Sequence, residues 1–219
     1  MDQDVLSSRA LVFAGGQFNK SDLDGVCIDT SDLIVGVDHG IEHCLACGLI
    51  PDIILGDFDS VEKSTLNNER VKQAEVIGYD ARKNFSDLEL ALLHLEEKSV
   101  ASVTLFGISG GRTDHHLFNW LLPFHKQWPY SIELVDSTVH AHLVSAQYPL
   151  SSRSYCAQTV SLLPMPQATG VCTTGLEYPL TGATLTMGST RGLSNVATGS
   201  AFGVTVKEGQ LLVFRVRAE

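Results

Sequence analysis

Positive charge is scarce in this chain. Lys and Arg total 15 against 25 Asp and Glu in 219 residues, a formal net charge of −10 with histidine neutral. A protein that grips nucleic-acid phosphates broadly needs a Lys/Arg surplus, so that function class is excluded. Long apolar runs are missing too. None approaches the ~18 residues of a membrane-spanning helix. The opening segment, MDQDVLSSRALVFAGG, is acidic where a secretory leader is basic, so no signal peptide is expected. Cysteine is sparse and odd in number: Cys27, Cys44, Cys47, Cys156 and Cys172. Reduced thiols in a cytoplasmic protein fit that count better than a disulfide framework. Charged residues make up 18% of the chain and hydrophobic ones 44%, which excludes disorder and allows a packed core. At ~150 residues per domain, the length allows one large domain or two small ones. An acidic balance suits a cationic ligand or bound metal ions.

What is there changes character near residue 137. Before it, short apolar runs alternate with helical patterns. Ala10–Ala14, Leu33–Val37, Ile53–Leu55, Glu75–Ile77, Ser102–Phe106 and Ile132–Val135 read as six buried strands. Ser86–Lys98 reads as a helix, with Leu88, Ala91, Leu92 and Leu95 at i, i+3, i+4, i+7 and a capping box from Ser86 to Glu89. A second helix is expected from about Asp114 to Lys126, with Leu117, Trp120, Leu121 and Phe124 on one face. Alternating strands and helices imply a parallel sheet covered on both faces. After Asp136 the helical signal vanishes. Runs at Thr159–Leu163, Ala183–Met187, Phe202–Val206 and Leu211–Val216, with turns at Pro164–Pro166, Thr181-Gly182 and Glu208-Gly209, imply a β-sandwich or barrel. The expected division is 1–137, α/β, and 138–219, all-β.

The sharpest local signal is Gly56-Asp57-Phe58-Asp59-Ser60 directly after an apolar strand. Ligands of open α/β sheets bind beyond the carboxyl ends of strands. Strand residues at i and i+2 point to one side, so Asp57 and Asp59 are expected to offer two hard oxygens to one Mg²⁺ ion. A solvated Asp/Gly turn is the alternative. Asp38 ends the strand LIVGV in the same way, or else caps a helix. Asp87 opens the helix after Ser86, just beyond Lys83, and fits either a dipole partner or a phosphate-and-metal site.

A glycine-rich loop follows the fifth strand: Gly107-Ile108-Ser109-Gly110-Gly111-Arg112-Thr113-Asp114-His115-His116. Glycines let backbone approach a ligand closely, and Arg112 can fork onto phosphate oxygens. No Gly-Lys-Ser/Thr follows, so this is not a Walker A loop. The pair Cys44-x-x-Cys47 lacks a second half and reads as buried structural thiols.

Taken together these segments resemble thiamine pyrophosphokinases over almost the entire chain. GDFDSV resembles that family's acidic motif, and KNFSDLELAL (83–92) its K-x-x-T/S-D segment. GGRTDHHLFNW resembles its G-G-R-x-D-H-x-L-x-N motif. GLEYPL (175–180) and GLSN (192–195) resemble its thiamine-binding segments. The chain departs from the family at His39, where Ala-Asp-Gly-Gly is usual, and at Val196, where Ser-Asn-Glu is frequent. The resemblance implies a Rossmann-like catalytic domain followed by a β-sandwich, assembled as a homodimer with the active site at the subunit interface. It implies pyrophosphoryl transfer from ATP to the thiamine hydroxyl, giving thiamine diphosphate and AMP. Asp57, Asp59 and Asp87 would hold Mg²⁺, and Asp38 would orient the thiamine or act with that cluster. Lys83, Ser86, Gly110, Gly111, Arg112, Asp114 and His115 would hold ATP. Ser194 and Asn195 would hold thiamine. Two other functions stay open on the residues: a metal-dependent phosphoesterase, because Asp114-His115-His116 spells a DHH triplet, and a non-catalytic thiamine- or nucleotide-binding module.

Overall fold

The computed structural model describes residues 9–59, 61–79 and 84–217. The chain forms two compact units, Met1–Ser137 and Thr138–Glu219.

The first unit is built on six strands: β1 (Arg9–Phe13), β2 (Leu33–Val37), β3 (Ile53–Gly56), β4 (Glu75–Gly78), β5 (Ser102–Phe106) and β6 (Ser131–Val135). All pair in parallel, in the order β4-β3-β2-β1-β5-β6. The central strands are buried along nearly their whole length. This is why they read as unbroken apolar runs, since helices and loops cover both faces of a parallel sheet. The helices are α1 (Gly40–Ala46), α2 (Lys63–Leu66), α3 (Asp87–Glu97) and α4 (Thr113–Leu121). The α3 helix buries Leu88, Ala91, Leu92 and Leu95, and its N-cap Ser86 accepts a hydrogen bond from the Glu89 N–H at 3.2 Å. Cys44 on α1 packs with Leu11, Phe13, Ile34, Phe106 and Val135.

The α4 helix differs from its sequence pattern. It stops at Leu121 and continues as a 3₁₀ turn over Leu122–Phe124. Pro123 has no N–H for the next helical bond. No α4 residue is buried, and the expected inward-facing Leu117 is 53% exposed.

Strand order positions the site. From β1 the chain steps outward through β2, β3 and β4, then returns to place β5 on the other side of β1. The β1/β5 boundary is the point where the order reverses, which is where open α/β sheets bind their ligands.

The second unit is antiparallel throughout: β7 (Val139–Val144), β8 (Leu150–Arg153), β9 (Thr159–Thr174), β10 (Ala183–Thr186), β11 (Asn195–Val196), β12 (Ala201–Thr205) and β13 (Glu208–Val216). The long β9 pairs with β13, β10 and β11, and its last residues pair with β12, which carries β8. Val160, Leu162, Val171, Leu185, Phe202, Val204, Leu211 and Val213 from these strands form one core, consistent with a sandwich. The turn expected at Pro164–Pro166 is absent, because β9 runs through both prolines. The ladder accommodates them with a register shift in β13 between Gly209 and Leu211, opposite Pro164 and Ala168. Prolines are tolerated in strands at such irregularities.

Candidate functional site

A cavity of about 520 Å³ opens at the β1/β5 reversal. Nearly every wall comes from a strand end or a helix start. Ala14, Gly15 and Gly16 follow β1, and Asp38 and His39 follow β2. Ser86 and Asp87 begin α3. Ile108, Gly110, Gly111 and Arg112 follow β5, and α4 adds His115 and Asn119. Seven residues singled out in the sequence therefore share one cavity: Asp38, Ser86, Asp87, Gly110, Gly111, Arg112 and His115. A second cavity of about 400 Å³ is lined by Asn84, Ser86, Glu89, Asp114, His115, Phe118, Asn119 and Leu122.

Asp38 is the electrostatic centre. Its backbone sits in the left-handed region at φ 48°, and its N–H donates to Leu55 O at 2.9 Å. The carboxylate lies over Gly56, where a Cβ would stand 1.7 Å from Asp38 Oδ1. The glycine of the Gly-Asp-Phe-Asp segment is thus what admits this side chain. Burial, then Asp87 and Asp57, push the Asp38 carboxyl from 3.8 up to about 7, against a hydrogen bond from the Phe58 N–H. Desolvation and like charge both disfavour the ionised form. Asp38 Oδ1 is buried with no hydrogen-bond partner among the described residues.

This crowding fits a hard divalent cation. Three carboxylates repel one another unless a positive charge joins them, and the orphaned oxygen is a ready ligand. Among the described residues, no three His, Cys, Asp or Glu side chains converge closely enough to enclose an ion. A cation here would complete its shell from water and phosphate oxygens, which is the habit of Mg²⁺.

The Asp57/Asp59 pair is not arranged as alternation along a strand would have it. The β3 strand ends at Gly56, and Phe58 adopts a left-handed φ of 59°, so the two-residue period breaks. Asp57 Oδ1 instead accepts from the Asp59 N–H at 3.1 Å, and Asp59 is exposed. Asp57 reaches the Asp38 cluster electrostatically.

The glycine-rich loop is held from several sides. Gly110 and Gly111 have φ of 83° and 65°, conformations that side chains resist. The Gly110 N–H, expected to face phosphate, donates to His116 Nδ1 at 3.2 Å. Asn119 Nδ2 donates to Ile108 O at 3.1 Å, and Ser109 Oγ bridges Trp120 Nε1 at 3.1 Å and Asp136 Oδ2 at 2.8 Å. Gly16 N–H and Gln17 N–H donate to Gly107 O and Ser109 O, both at 2.7 Å, zipping the β1 loop to this one. Arg112 is turned onto Asp114, with Nε to Oδ1 at 3.1 Å and Nη2 to Oδ2 at 2.6 Å. That bond holds the exposed Asp114 carboxyl down at about 2. The DHH triplet is accordingly split: Asp114 faces Arg112, while His116 faces Gly110.

In the second unit, Asn195 is 5% exposed. Its Oδ1 accepts from the Tyr178 N–H at 3.1 Å and the Val196 N–H at 2.8 Å, and its Nδ2 donates to Tyr178 O at 2.8 Å. The side chain expected to contact thiamine is therefore engaged in tying the 175–180 segment to β11. Ser194 is exposed with φ 55°, and its N–H donates to Ser161 Oγ at 3.0 Å. Lys83 lies outside the described residues. Sequence reasoning passed over Gly15, Gly16, His39 and Asn119 as cavity walls. The double glycine after the first strand was the available signal for the first two.

Two family models match the chain: "Thiamin pyrophosphokinase, catalytic domain" over residues 26–131, and "Thiamin pyrophosphokinase, vitamin B1 binding domain" over 147–212. A thiamine pyrophosphokinase of Bacillus subtilis is 32% identical over 208 residues, covering 93% of this chain and 96% of that protein. A crystal structure of the thiamine pyrophosphokinase from Bacillus subtilis superposes with a TM-score of 0.84 at 28% identity, covering 97% of this chain and all of the other. One from Geobacillus thermodenitrificans gives 0.77 at 27% identity, covering 96% and 98%.

Proposed function

The chain belongs to the thiamine pyrophosphokinase family, and from that premise we propose that it transfers a pyrophosphoryl group from ATP to the hydroxyl of thiamine. The products are thiamine diphosphate and AMP. The observation that carries this reading is the crowded carboxylate cluster of Asp38, Asp57 and Asp87, with its orphaned oxygen, at a cavity on the strand-order reversal.

The thiamine oxygen attacks the β-phosphorus and releases its hydroxyl proton to solvent, the bond from that phosphorus to the α-bridging oxygen breaks, and AMP departs with that oxygen and the bonding electron pair. Little covalent work falls to the protein in such a transfer. Positioning and charge stabilisation supply the rate. Asp38, Asp57 and Asp87, with Asp59 beside them, would hold Mg²⁺. The bound ion supplies neutralisation of phosphate charge. The 110–112 loop, Ser86 and His115 orient the triphosphate. Arg112 serves it while paired with Asp114, or exchanges that partner for phosphate. Ser194 contacts thiamine, and Asn195 acts through the backbone it pins. The acidic surroundings also favour the cationic thiazolium ring. The working form is a cytoplasmic homodimer with its active site at the subunit interface. Among the described residues, no helix is long and apolar enough to cross a membrane.

Incubation with ATP, MgCl₂ and thiamine, followed by chromatography, should yield AMP and thiamine diphosphate in equal amounts. Both products should vanish when thiamine or the metal is omitted. Phosphate release from a phosphoester without ATP, or ATP and thiamine binding without AMP, would replace the proposal with the phosphoesterase or the binding module.

A further inference from the structure

The triphosphate needs donors, and most polar side chains of the cavity are already committed. Arg112 is forked onto Asp114, and Asn119 Nδ2 serves Ile108 O. Ser86 Oγ caps α3, while Asp38 and Asp87 offer only carboxyl oxygens. Two lining side chains remain with a polar edge to spare, His115 and His39.

His39 is held in place by three neighbours. Its Nδ1 lies 3.3 Å from Glu42 Oε2, and Glu42 Oε1 is itself fixed by the Glu62 N–H at 3.2 Å. The ring meets His43 edge to face at 5.3 Å and 86°. His43 Nε2 donates to Gly16 O at 2.8 Å, and burial lowers its basicity, so that ring is a neutral anchor on the β1 loop. The His39 Cβ also packs where a side chain on Gly15 would stand, 3.3 Å away. A carboxylate only accepts, so Nδ1 faces Glu42 as an N–H, and Nε2 donates in turn on the imidazolium, where both ring nitrogens carry a proton. Among the described residues Nε2 has no hydrogen-bond partner. The ring remains 44% exposed at the cavity. A ring oriented in advance loses little freedom on binding.

We propose that His39 contacts the phosphates of the nucleoside triphosphate through Nε2, with Glu42 as its positioning residue, and so sets nucleotide affinity in this chain. The phosphates are its partner because the same rim is formed by the Gly15-Gly16 and Gly110-Gly111 backbones and by the carboxylates that call for a cation. The proposal rests on the nucleotide occupying this cavity, as in the function proposed above.

Calorimetric titration with α,β-methylene-ATP and MgCl₂ tests it, because the carbon bridge blocks transfer. Thiamine is titrated separately. His39→Ala should weaken analogue binding about tenfold, the range of one hydrogen bond to a charged group, and leave thiamine affinity within about twofold. His39→Gln, which returns an N–H donor, should recover to within about threefold of wild type. Glu42→Ala should cost about three- to fivefold by freeing the ring. Thermal midpoints should match in all variants. The contact is overturned if His39→Ala binds the analogue as wild type does, if His39→Gln fails to recover, or if thiamine affinity and the thermal midpoint fall equally. The role of Glu42 is overturned if Glu42→Ala binds as wild type does. Production of thiamine diphosphate is read separately, so the loss of that reaction and the loss of this contact are distinct results.

Discussion

The two units spend their motif residues in opposite ways. In the first, strand ends and a helix start deliver Asp38, Asp87 and the glycine-rich loop to a cavity, where the carboxyl groups are crowded and Asp38 Oδ1 is buried with no hydrogen-bond partner among the described residues. In the second, Asn195 occupies an equally motif-like position but has three hydrogen bonds to local backbone and is buried. Unsatisfied buried polarity at a cavity marks a place that awaits a ligand. Full satisfaction marks a place that holds the fold. Motif residues thus line a cavity in one unit and tie backbone together in the other.

Substitutions can break that contrast, and the largest effect is expected in the first unit. Asp87→Asn should lower AMP production on the order of 10³-fold, as losing a charge-stabilising group does, with a thermal midpoint near that of wild type. An equal loss of midpoint and rate would make Asp87 architectural. Asn195→Ala should behave in reverse. Urea denaturation should show a loss of about 2–4 kcal/mol, because the Tyr178 and Val196 N–H groups lose their buried acceptor. Unchanged stability would remove the distinction between the units.

Asp38→Asn should stabilise the metal-free protein by about 1–2 kcal/mol at pH 8. The sign follows from its raised carboxyl. Wild type has its full share of this stability below about 3.8 and loses it as pH climbs to about 7, whereas Asn does not titrate. Denaturation at pH 4 and pH 8 should show the gap only at pH 8, and no gap would mean the crowding is relieved in solution. The smallest effect belongs to Arg112→Ala, about three- to tenfold in the KM for ATP, because its fork is already committed to exposed Asp114. A thousandfold loss would show that the pair opens fully onto phosphate.

Much of the first unit was legible because a parallel strand buried on both faces must be apolar throughout, as β1, β2 and β5 are. The α3 helix was legible from its period and its Ser86 cap. The α4 helix misled, since Leu117 belongs to the expected apolar face yet stands 53% exposed. Periodicity reports that a face is apolar, not what covers it. The prolines of β9 misled similarly, because a compensating register shift in β13 lies about 45 residues away. At the site, the residue types were legible at Asp38, Asp87 and the 107–112 loop. Their partners were not, since Arg112 could as well face phosphate as Asp114.

Residue order already dictates which residues must be buried, where helices cap, and that carboxylates and glycines stand at strand ends. Those properties depend on near neighbours along the chain and on the period of each element. Tertiary structure alone decided that Asp38 rests over Gly56, that Phe58 turns Asp59 away from strand alternation, and that Asn195 pins Tyr178. Each of these depends on a contact or a backbone twist imposed by distant segments. A carboxylate's role is set by the charges and donors around it, and folding brings those together.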